Sequence, residues 1–234
     1  TGGPWHQAYP HDAYPKPQIE WRGEAVRWFD HWLKGRDTGI MAEPRFAVFV
    51  RGWHPPGPGL EVVPGEWRYE DGWPIARLRE RTLYPEPDHG LGAKAPAPAI
   101  HRLRYVPTAG VEAGGPVMGG GGAAHDQRPT DAMSLVYDSA PLEEELEILG
   151  FPHALLRVAA DAPLADWIAR LSDVAPDGAV TLVAGAAMNG AHRESAAHPS
   201  PLVPGQPGSL AVEMHFTPWV FPKGHRIRLA LTNS

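Results

Sequence analysis

The 234-residue chain contains no cysteine, which excludes disulfide bonds, thiolate nucleophiles and zinc sites built on sulfur. It has no apolar run of the length that a membrane span needs, so we expect no membrane contact. Its formal net charge of −6 provides no basic field for phosphates, which argues against a nucleic-acid partner. We also see no secretory signal, and we therefore expect a cytoplasmic protein.

Activated nucleophiles and cofactor motifs are also missing. None of the seven serines stands in a Gly-x-Ser-x-Gly elbow, so any serine nucleophile lies outside this chain. The glycine run at 114–122 lacks the Lys-Ser or Lys-Thr of a phosphate loop, and we expect no nucleotide or other cofactor. His6, His11 and Asp12 suggest a metal site, but Pro10 breaks the helical spacing that would align the two histidines, and we expect no metal.

Proline and glycine are abundant, at 27 and 26 residues, and they separate short apolar runs instead of forming tracts. This pattern predicts many short strands joined by turns and therefore a mainly β fold, an antiparallel sandwich or jelly roll. The motif Ala175-Pro176-Asp177-Gly178 predicts a hairpin turn between two of the strands. The predicted strands are 45–51, 132–138, 154–160, 167–174, 179–185, 210–217 and 226–232, with weaker ones at 78–84 and 101–106.

One helix is predicted near the N-terminus, after a proline-rich loop at residues 1–19. Within the segment WRGEAVRWFDHWLKG the apolar residues recur at helical spacing and form one stripe, with charged residues on the other side. Gly35 fits a helix C-terminus. The apolar stripe consists of Trp21, Ala25, Trp28, Phe29, Trp32 and Leu33.

Two charged motifs have structural interpretations. In Asp126-Gln127-Arg128-Pro129, the carboxylate and the guanidinium are close enough in sequence for an ion pair that locks a loop. The acidic run Glu143-Glu144-Glu145 predicts a solvated edge and not a catalytic carboxylate pair.

Taken in order, several short motifs resemble the X-prolyl dipeptidyl-peptidase and cocaine-esterase family of α/β-hydrolases, which includes α-amino-acid ester hydrolases. No motif is specific alone, but the ordered set covers nearly the whole chain. The matching segments are 3–5, 28–35, 49–52, 65–68, 73–74, 126–129, 171–174, 176–178, 192–195 and 224–228.

The resemblance implies a serine hydrolase that cleaves ester or amide bonds by a Ser-His-Asp mechanism, with a small-molecule ester or a short peptide as substrate. Residues 1–40 would then be the C-terminal tail of the α/β-hydrolase domain, with the catalytic-histidine loop and the last helix. Residues 41–234 would be a jelly-roll domain. The Ser and Asp would lie upstream of Thr1 and the last jelly-roll strands after Ser234, so we expect this fragment alone to be inactive. A homo-oligomeric assembly is compatible with the sequence.

The resemblance also implies the site residues. The family's catalytic histidine usually stands two residues after the Trp of Gly-Pro-Trp, where this chain has Gln7. His6 is one residue early and is our preferred catalytic base, which requires a one-residue shift of the loop. His11 is the alternative base, and a third possibility is that Gln7 at this position compromises the activity. Trp5 would anchor the loop and line the pocket.

Val117 and Met118, in the glycine-rich loop, would be further pocket-lining residues by the same resemblance, although covering a sheet edge explains them equally well. A second hypothesis for the whole chain is a non-catalytic β-sandwich module that binds a ligand such as a carbohydrate through its nine tryptophans.

Overall fold

The computed structural model describes residues 15–57, 59–114 and 124–234. Within these ranges no helix has both the length and the apolar character needed to cross a membrane. The helices are α1 (Trp21–Lys34), α2 (Arg128–Asp131) and two 3₁₀ turns (Ile40–Ala42 and Gly190–His192). The strands are β1 (Phe46–Arg51), β2 (Gly65–Glu70), β3 (Tyr84–Pro85), β4 (Leu91–Gly92), β5 (Leu135–Asp138), β6 (Leu146–Gly150), β7 (His153–Val158), β8 (Asp166–Val174), β9 (Val180–Asn189), β10 (Gly208–Glu213), β11 (Thr217–Phe221) and β12 (Arg226–Thr232).

Two four-stranded sheets form most of the fold, in the orders β2-β1-β11-β6 and β5-β12-β8-β9. The strand pairs β10-β7 and β3-β4 complete it. Apart from the parallel pair β1 and β11, the paired strands named here run antiparallel. The prediction of a mainly β sandwich is therefore confirmed.

The hydrophobic core receives side chains from both large sheets and from the β10-β7 pair. Trp219 of β11, Ala169 of β8 and Val212 of β10 have no exposed surface. These side chains come from three different sheets, so their burial holds the sheets together as one packed unit.

The structure confirms the helix and its C-terminus. Gly35 adopts a left-handed conformation with φ 64° and donates its backbone N–H to Asp30 O, the geometry that ends many helices. The predicted turn also forms between β8 and β9, where Gly178 has φ 88° and Asp177 Oδ1 accepts the Ala179 N–H at 3.0 Å.

Several strand predictions were wrong in detail. The predicted strand 210–217 covers most of β10 but reaches only the first residue of β11. β10 pairs with β7 whereas β11 pairs with β6 and β1, so the chain changes sheet between them. Of the segments 78–84 and 101–106, only Tyr84 is in a strand. β2 and β6 were not predicted. Both are half-buried strands at the edges of a sheet, and their charged residues obscure the alternation of apolar and polar side chains that would indicate a strand.

Four of the six residues in the apolar stripe of α1 are exposed, and Trp21 and Ala25 are half-buried. Trp28, Phe29, Trp32 and Leu33 are 46%, 55%, 56% and 77% exposed, and α1 has no buried residue. The charged side holds the helix to the following segment instead, since Arg27 donates to Thr38 O at 3.3 Å and forms an ion pair with Glu43.

Candidate functional site

The predicted site residues Trp5, His6, His11, Val117 and Met118 all lie outside the described residues. The structure does describe the residues that flank both segments. These flanking residues show where the N-terminal segment 1–14 and the loop segment 115–123 join the sandwich.

The N-terminal segment joins the fold at Pro15 and Lys16. Pro15 is fully buried. Lys16 forms a parallel bridge with Val62: its N–H donates to Glu61 O at 2.7 Å, and its carbonyl accepts the Val63 N–H at 3.0 Å. Two backbone hydrogen bonds and a buried ring therefore fix the point at which the segment carrying His6 and His11 leaves the described fold.

The loop segment 115–123 begins and ends at one place. The His125 N–H donates to Ala113 O at 2.9 Å. The Gln127 side-chain amide donates to Ala113 O at 2.8 Å and to His125 O at 2.7 Å. Gly114, with φ 57°, leaves no room for a side chain, because a Cβ there would lie 2.8 Å from the His125 ring.

Gln127 also attaches these two loop ends to the core. Its side chain is fully buried, and its Oε1 accepts from Arg170 Nη1 of β8 at 2.8 Å. Its backbone N–H donates to Val180 O, at the start of β9, at 3.1 Å. An uncharged amide thus satisfies three protein groups at once, which makes it a rigid anchor for the loop.

Both attachment points lie at the same end of the sandwich, which we call the hairpin end and define by residues 52–64 and 175–179. The loop 52–64 holds Lys16, and it is tied to β9 because Thr181 Oγ1 donates to His54 O at 2.8 Å. Thr181 directly follows Val180, the residue that binds Gln127. Gln127, which holds the ends of the loop segment, is therefore bonded to β9 at Val180, and the loop that holds Lys16 is bonded to the next residue of β9 through His54.

A buried polar cluster lies under the hairpin end. Asp173 is fully buried; its Oδ1 is 2.7 Å from His225 Nδ1, and its Oδ2 accepts the Trp219 indole N–H at 3.0 Å. Burial raises the pKa of the Asp173 carboxyl, although the hydrogen bonds from Trp219 and His225 oppose this. Trp53 packs against the His225 ring, with the ring centroids 5.1 Å apart.

Arg51 and His54 belong to the same cluster. The Arg51 guanidinium donates to Pro218 O at 3.3 Å and to Val183 O at 3.1 Å, and it lies 5.2 Å from the centre of the Trp219 ring. Burial lowers the pKa of Arg51 to about 10. Burial also lowers the pKa of His54. The hydrogen bond with the Pro55 carbonyl acts to raise this pKa, whereas the positive charge of Arg51 lowers it further.

The cluster can position the hairpin end but offers no catalytic geometry of its own. The Asp173–His225 pair resembles two members of a triad, yet His225 is 7% exposed and is covered by Trp53. A substrate has no access to an imidazole in this position. In the parts of the chain that the structure describes, no group of three His, Asp or Glu side chains could hold a metal ion.

The sequence motif 126–129 indicates the charged pair Asp126 and Arg128 but gives no sign of a role for the residue between them. Arg128 does pair with Asp126, with Nη2 and Oδ2 2.6 Å apart. The buried contacts, however, belong to Gln127 and to Asp131, whose carboxylate pairs with Arg228 at 2.9 Å. An isolated amide between two charged residues carries no sequence signal for burial, so only tertiary contacts reveal its role.

The Asp126–Arg128 pair yields a pH prediction. Burial acts to raise the pKa of Asp126, but the hydrogen bonds from Arg128 outweigh it and hold the pKa below the ordinary value of 3.8. The ionised Asp126 carboxylate therefore stabilises the fold above pH 3.8. This stabilisation is lost as the pH falls through the lower pKa that Asp126 has in the folded state. We expect Asp126→Asn to lower the free energy of unfolding by about 1 kcal/mol at pH 7.

This difference from wild type should shrink as the pH falls below 3.8, as measured by urea unfolding at a series of pH values. Asp161→Asn, at an exposed loop aspartate, is the control. A difference that stays constant with pH would show that the ionised carboxylate of Asp126 contributes nothing.

The exposed tryptophans of the described residues do not form a platform on a sheet. The exposed ones in the described residues are Trp28 and Trp32 on α1 and Trp73 in the loop after β2. Trp219 and Trp167 are buried in the core. This distribution does not favour the carbohydrate-binding alternative, which needs aromatic rings aligned on one accessible face.

The fold defines the class of this chain: a mainly β sandwich preceded by one helix, with buried polar anchors instead of a catalytic centre in its described part. The family described as "X-Pro dipeptidyl-peptidase C-terminal non-catalytic domain" matches residues 38–234, and the chain belongs to that family. The resemblance found in the sequence is thereby confirmed.

Relatives and solved structures agree with this assignment. A Mycobacterium bovis protein named "Putative serine esterase" is 28% identical over 99% of this chain and 40% of its own length. The cocaine esterase of Rhodococcus sp. is 26% identical over 88% of this chain and 37% of its own length. The chain thus spans about 40% of the length of the first of these relatives.

The crystal structure of an aminopeptidase from a Thaumarchaeota archaeon shares the fold. Its TM-score is 0.71 at 24% identity, over 95% of this chain and 38% of that one.

Proposed function

We propose that this chain is the C-terminal part of a serine hydrolase that cleaves ester or amide bonds, with its Ser and Asp upstream of Thr1 and with His6 as general base. The substrates would be small-molecule esters or short peptides. Similarity to proteins named as esterases supports the proposal, since it extends over nearly the whole chain. The non-catalytic description of the matching family agrees with a nucleophile on another part of the protein.

The structural observation that carries the proposal is that both predicted site segments are attached at the hairpin end of the sandwich. Lys16, which follows the segment with His6, is bonded to the loop 52–64. Gln127, which holds the ends of the loop with Val117 and Met118, is bonded to β9 beside the same loop. A catalytic histidine and pocket-lining residues must act on the same substrate, and rigid attachment of both segments at one end of the sandwich would reduce the cost of ordering them for reaction.

The exposed stripe of α1 supports a further part of the proposal. Four large apolar side chains on one face of a 14-residue helix form a surface that soluble proteins normally cover. We assign this face to the contact with the upstream catalytic domain. The sandwich would then hold the hairpin end at the mouth of the active site.

In the proposed mechanism, the His6 imidazole takes the proton of the upstream serine as that serine attacks the substrate carbonyl. It later returns the proton to the leaving alcohol or amine. An upstream aspartate would orient the ring through its other nitrogen. Val117 and Met118 would contact the acyl or peptide part of the substrate.

The simplest test uses the 234-residue chain itself. We expect no hydrolysis of p-nitrophenyl acetate or of a Gly-Pro p-nitroanilide above the rate in buffer, because the nucleophile is absent. The protein that includes the upstream sequence is the positive control. Turnover by the purified 234-residue chain, retained through further chromatography, would show that the nucleophile lies on this chain and would overturn the proposal.

A further inference from the structure

A small cleft lies near the end of the β8–β9 hairpin that is farther from the hairpin end of the sandwich. It forms where the connection from β9 to β10 folds over the ends of β7, β8 and β10, and it is a partly open cleft of about 150 Å³. Its lining is mainly apolar, and it includes Trp167, Leu202 and Leu210. A cavity of roughly this volume holds one benzene-sized ring.

The shape of the cleft is fixed by tight packing behind it. A Cβ at Gly190 would lie 2.6 Å from Trp167 Cζ3 and 3.0 Å from Leu202 Cδ1, so the backbone of the 3₁₀ turn presses directly on both lining side chains. Arg193 Nη1 donates to Gly190 O at 3.0 Å and to Ser200 O at 2.9 Å. These bonds hold the connection in place, and the cleft is therefore preformed.

Charge at the cleft comes from Arg193 and Glu194, which both line it. The Arg193 side chain is only 17% exposed, whereas Glu194 is 71% exposed and lies 3.5 Å from Arg193 Nη2. Such a long contact with a solvated carboxylate neutralises a guanidinium poorly. A ligand carboxylate that displaced Glu194 would form a shorter and more strongly shielded pair.

We propose that this cleft binds a small carboxylate with an apolar body, of the size of an aromatic or branched aliphatic acid. The apolar body fills the space between Trp167, Leu202 and Leu210, and the carboxylate replaces Glu194 as the partner of Arg193. The Gln206 amide, also in the lining, can donate to the second carboxylate oxygen. The inference stands on the cleft alone and holds whether or not the whole protein is a hydrolase.

The test is calorimetric titration of the 234-residue chain with sodium benzoate at pH 7, where the acid is ionised. We expect a dissociation constant on the order of 1 mM. Benzyl alcohol, which keeps the ring but has no charge, and acetate, which keeps the charge but has no ring, should each bind at least about fivefold more weakly. Equal binding of benzoate and benzyl alcohol would overturn the assignment to carboxylates, and absence of benzoate binding would overturn the site.

Two variants locate the binding. Leu202→Trp should fill the cleft and abolish the benzoate signal, whereas Leu155→Trp, at an exposed position of β7, should leave it unchanged. Glu194→Gln removes the competing carboxylate from an exposed side chain, and it should tighten benzoate binding about two- to fivefold without affecting benzyl alcohol.

Glu194→Gln decides the question even if Leu202→Trp does not fold. Unchanged or weaker benzoate binding by Glu194→Gln would contradict the displacement of Glu194. Unchanged binding by a folded Leu202→Trp variant would place the ligand elsewhere.

Discussion

Replacing His6 with Ala in the protein that includes the upstream sequence should lower kcat/KM for its ester substrate by about 10⁴- to 10⁶-fold. The reason is that a serine hydroxyl is a poor nucleophile until an imidazole accepts its proton, and the same imidazole must protonate the leaving group. KM should change much less than kcat, because the substrate still binds. Single-turnover kinetics with a p-nitrophenyl ester would measure the acylation step directly.

His11→Ala is the matched control, since it removes a second histidine from the same segment. We expect it to change kcat/KM by no more than a few-fold. Circular dichroism of both variants checks that the fold is retained. A large loss in His11→Ala together with an active His6→Ala would make His11 the base, and activity in both would remove this segment from the mechanism.

The second large effect concerns the buried cluster under the hairpin end. Asp173→Ala should lower the free energy of unfolding by about 3–5 kcal/mol, because His225 and the Trp219 indole N–H would remain buried without their acceptor. The contacts with His225 and Trp219 are 2.7 Å and 3.0 Å long, within the ordinary hydrogen-bond range, and Asp173 has no exposed surface. Urea unfolding of the 234-residue chain at pH 7, followed by tryptophan fluorescence, would measure the loss.

Glu213→Ala provides the comparison for Asp173→Ala. This substitution also removes a carboxylate that pairs with a histidine, since His153 Nε2 and Glu213 Oε2 are 2.9 Å apart. The Glu213 side chain, however, is 65% exposed. We expect a change below about 1 kcal/mol, since water replaces an exposed partner at little cost. Similar losses in the two variants would show that burial does not strengthen the Asp173 contacts.

Features that depend on residues close together in the chain could be predicted from the sequence, whereas features that depend on distant contacts could not. The helix α1 and its Gly35 end were predictable, since apolar spacing and a left-handed glycine are local properties. The hairpin between β8 and β9 was predictable for the same reason. The exchange of sheets between β10 and β11 was not, because the strand that each of them pairs with lies far away in the chain.

The candidate site shows the same division. The sequence alone determined the mainly β class, the helix, the main turn and the family, because each depends on residue types at short or ordered spacing. Only the tertiary structure decided that Lys16 and Gln127 attach at the same end of the sandwich. It also decided that Asp173 accepts hydrogen bonds from His225 and Trp219. The exposure of most of the apolar stripe of α1 is a third feature of this kind. These features depend on contacts between residues far apart in the chain, which no local pattern encodes.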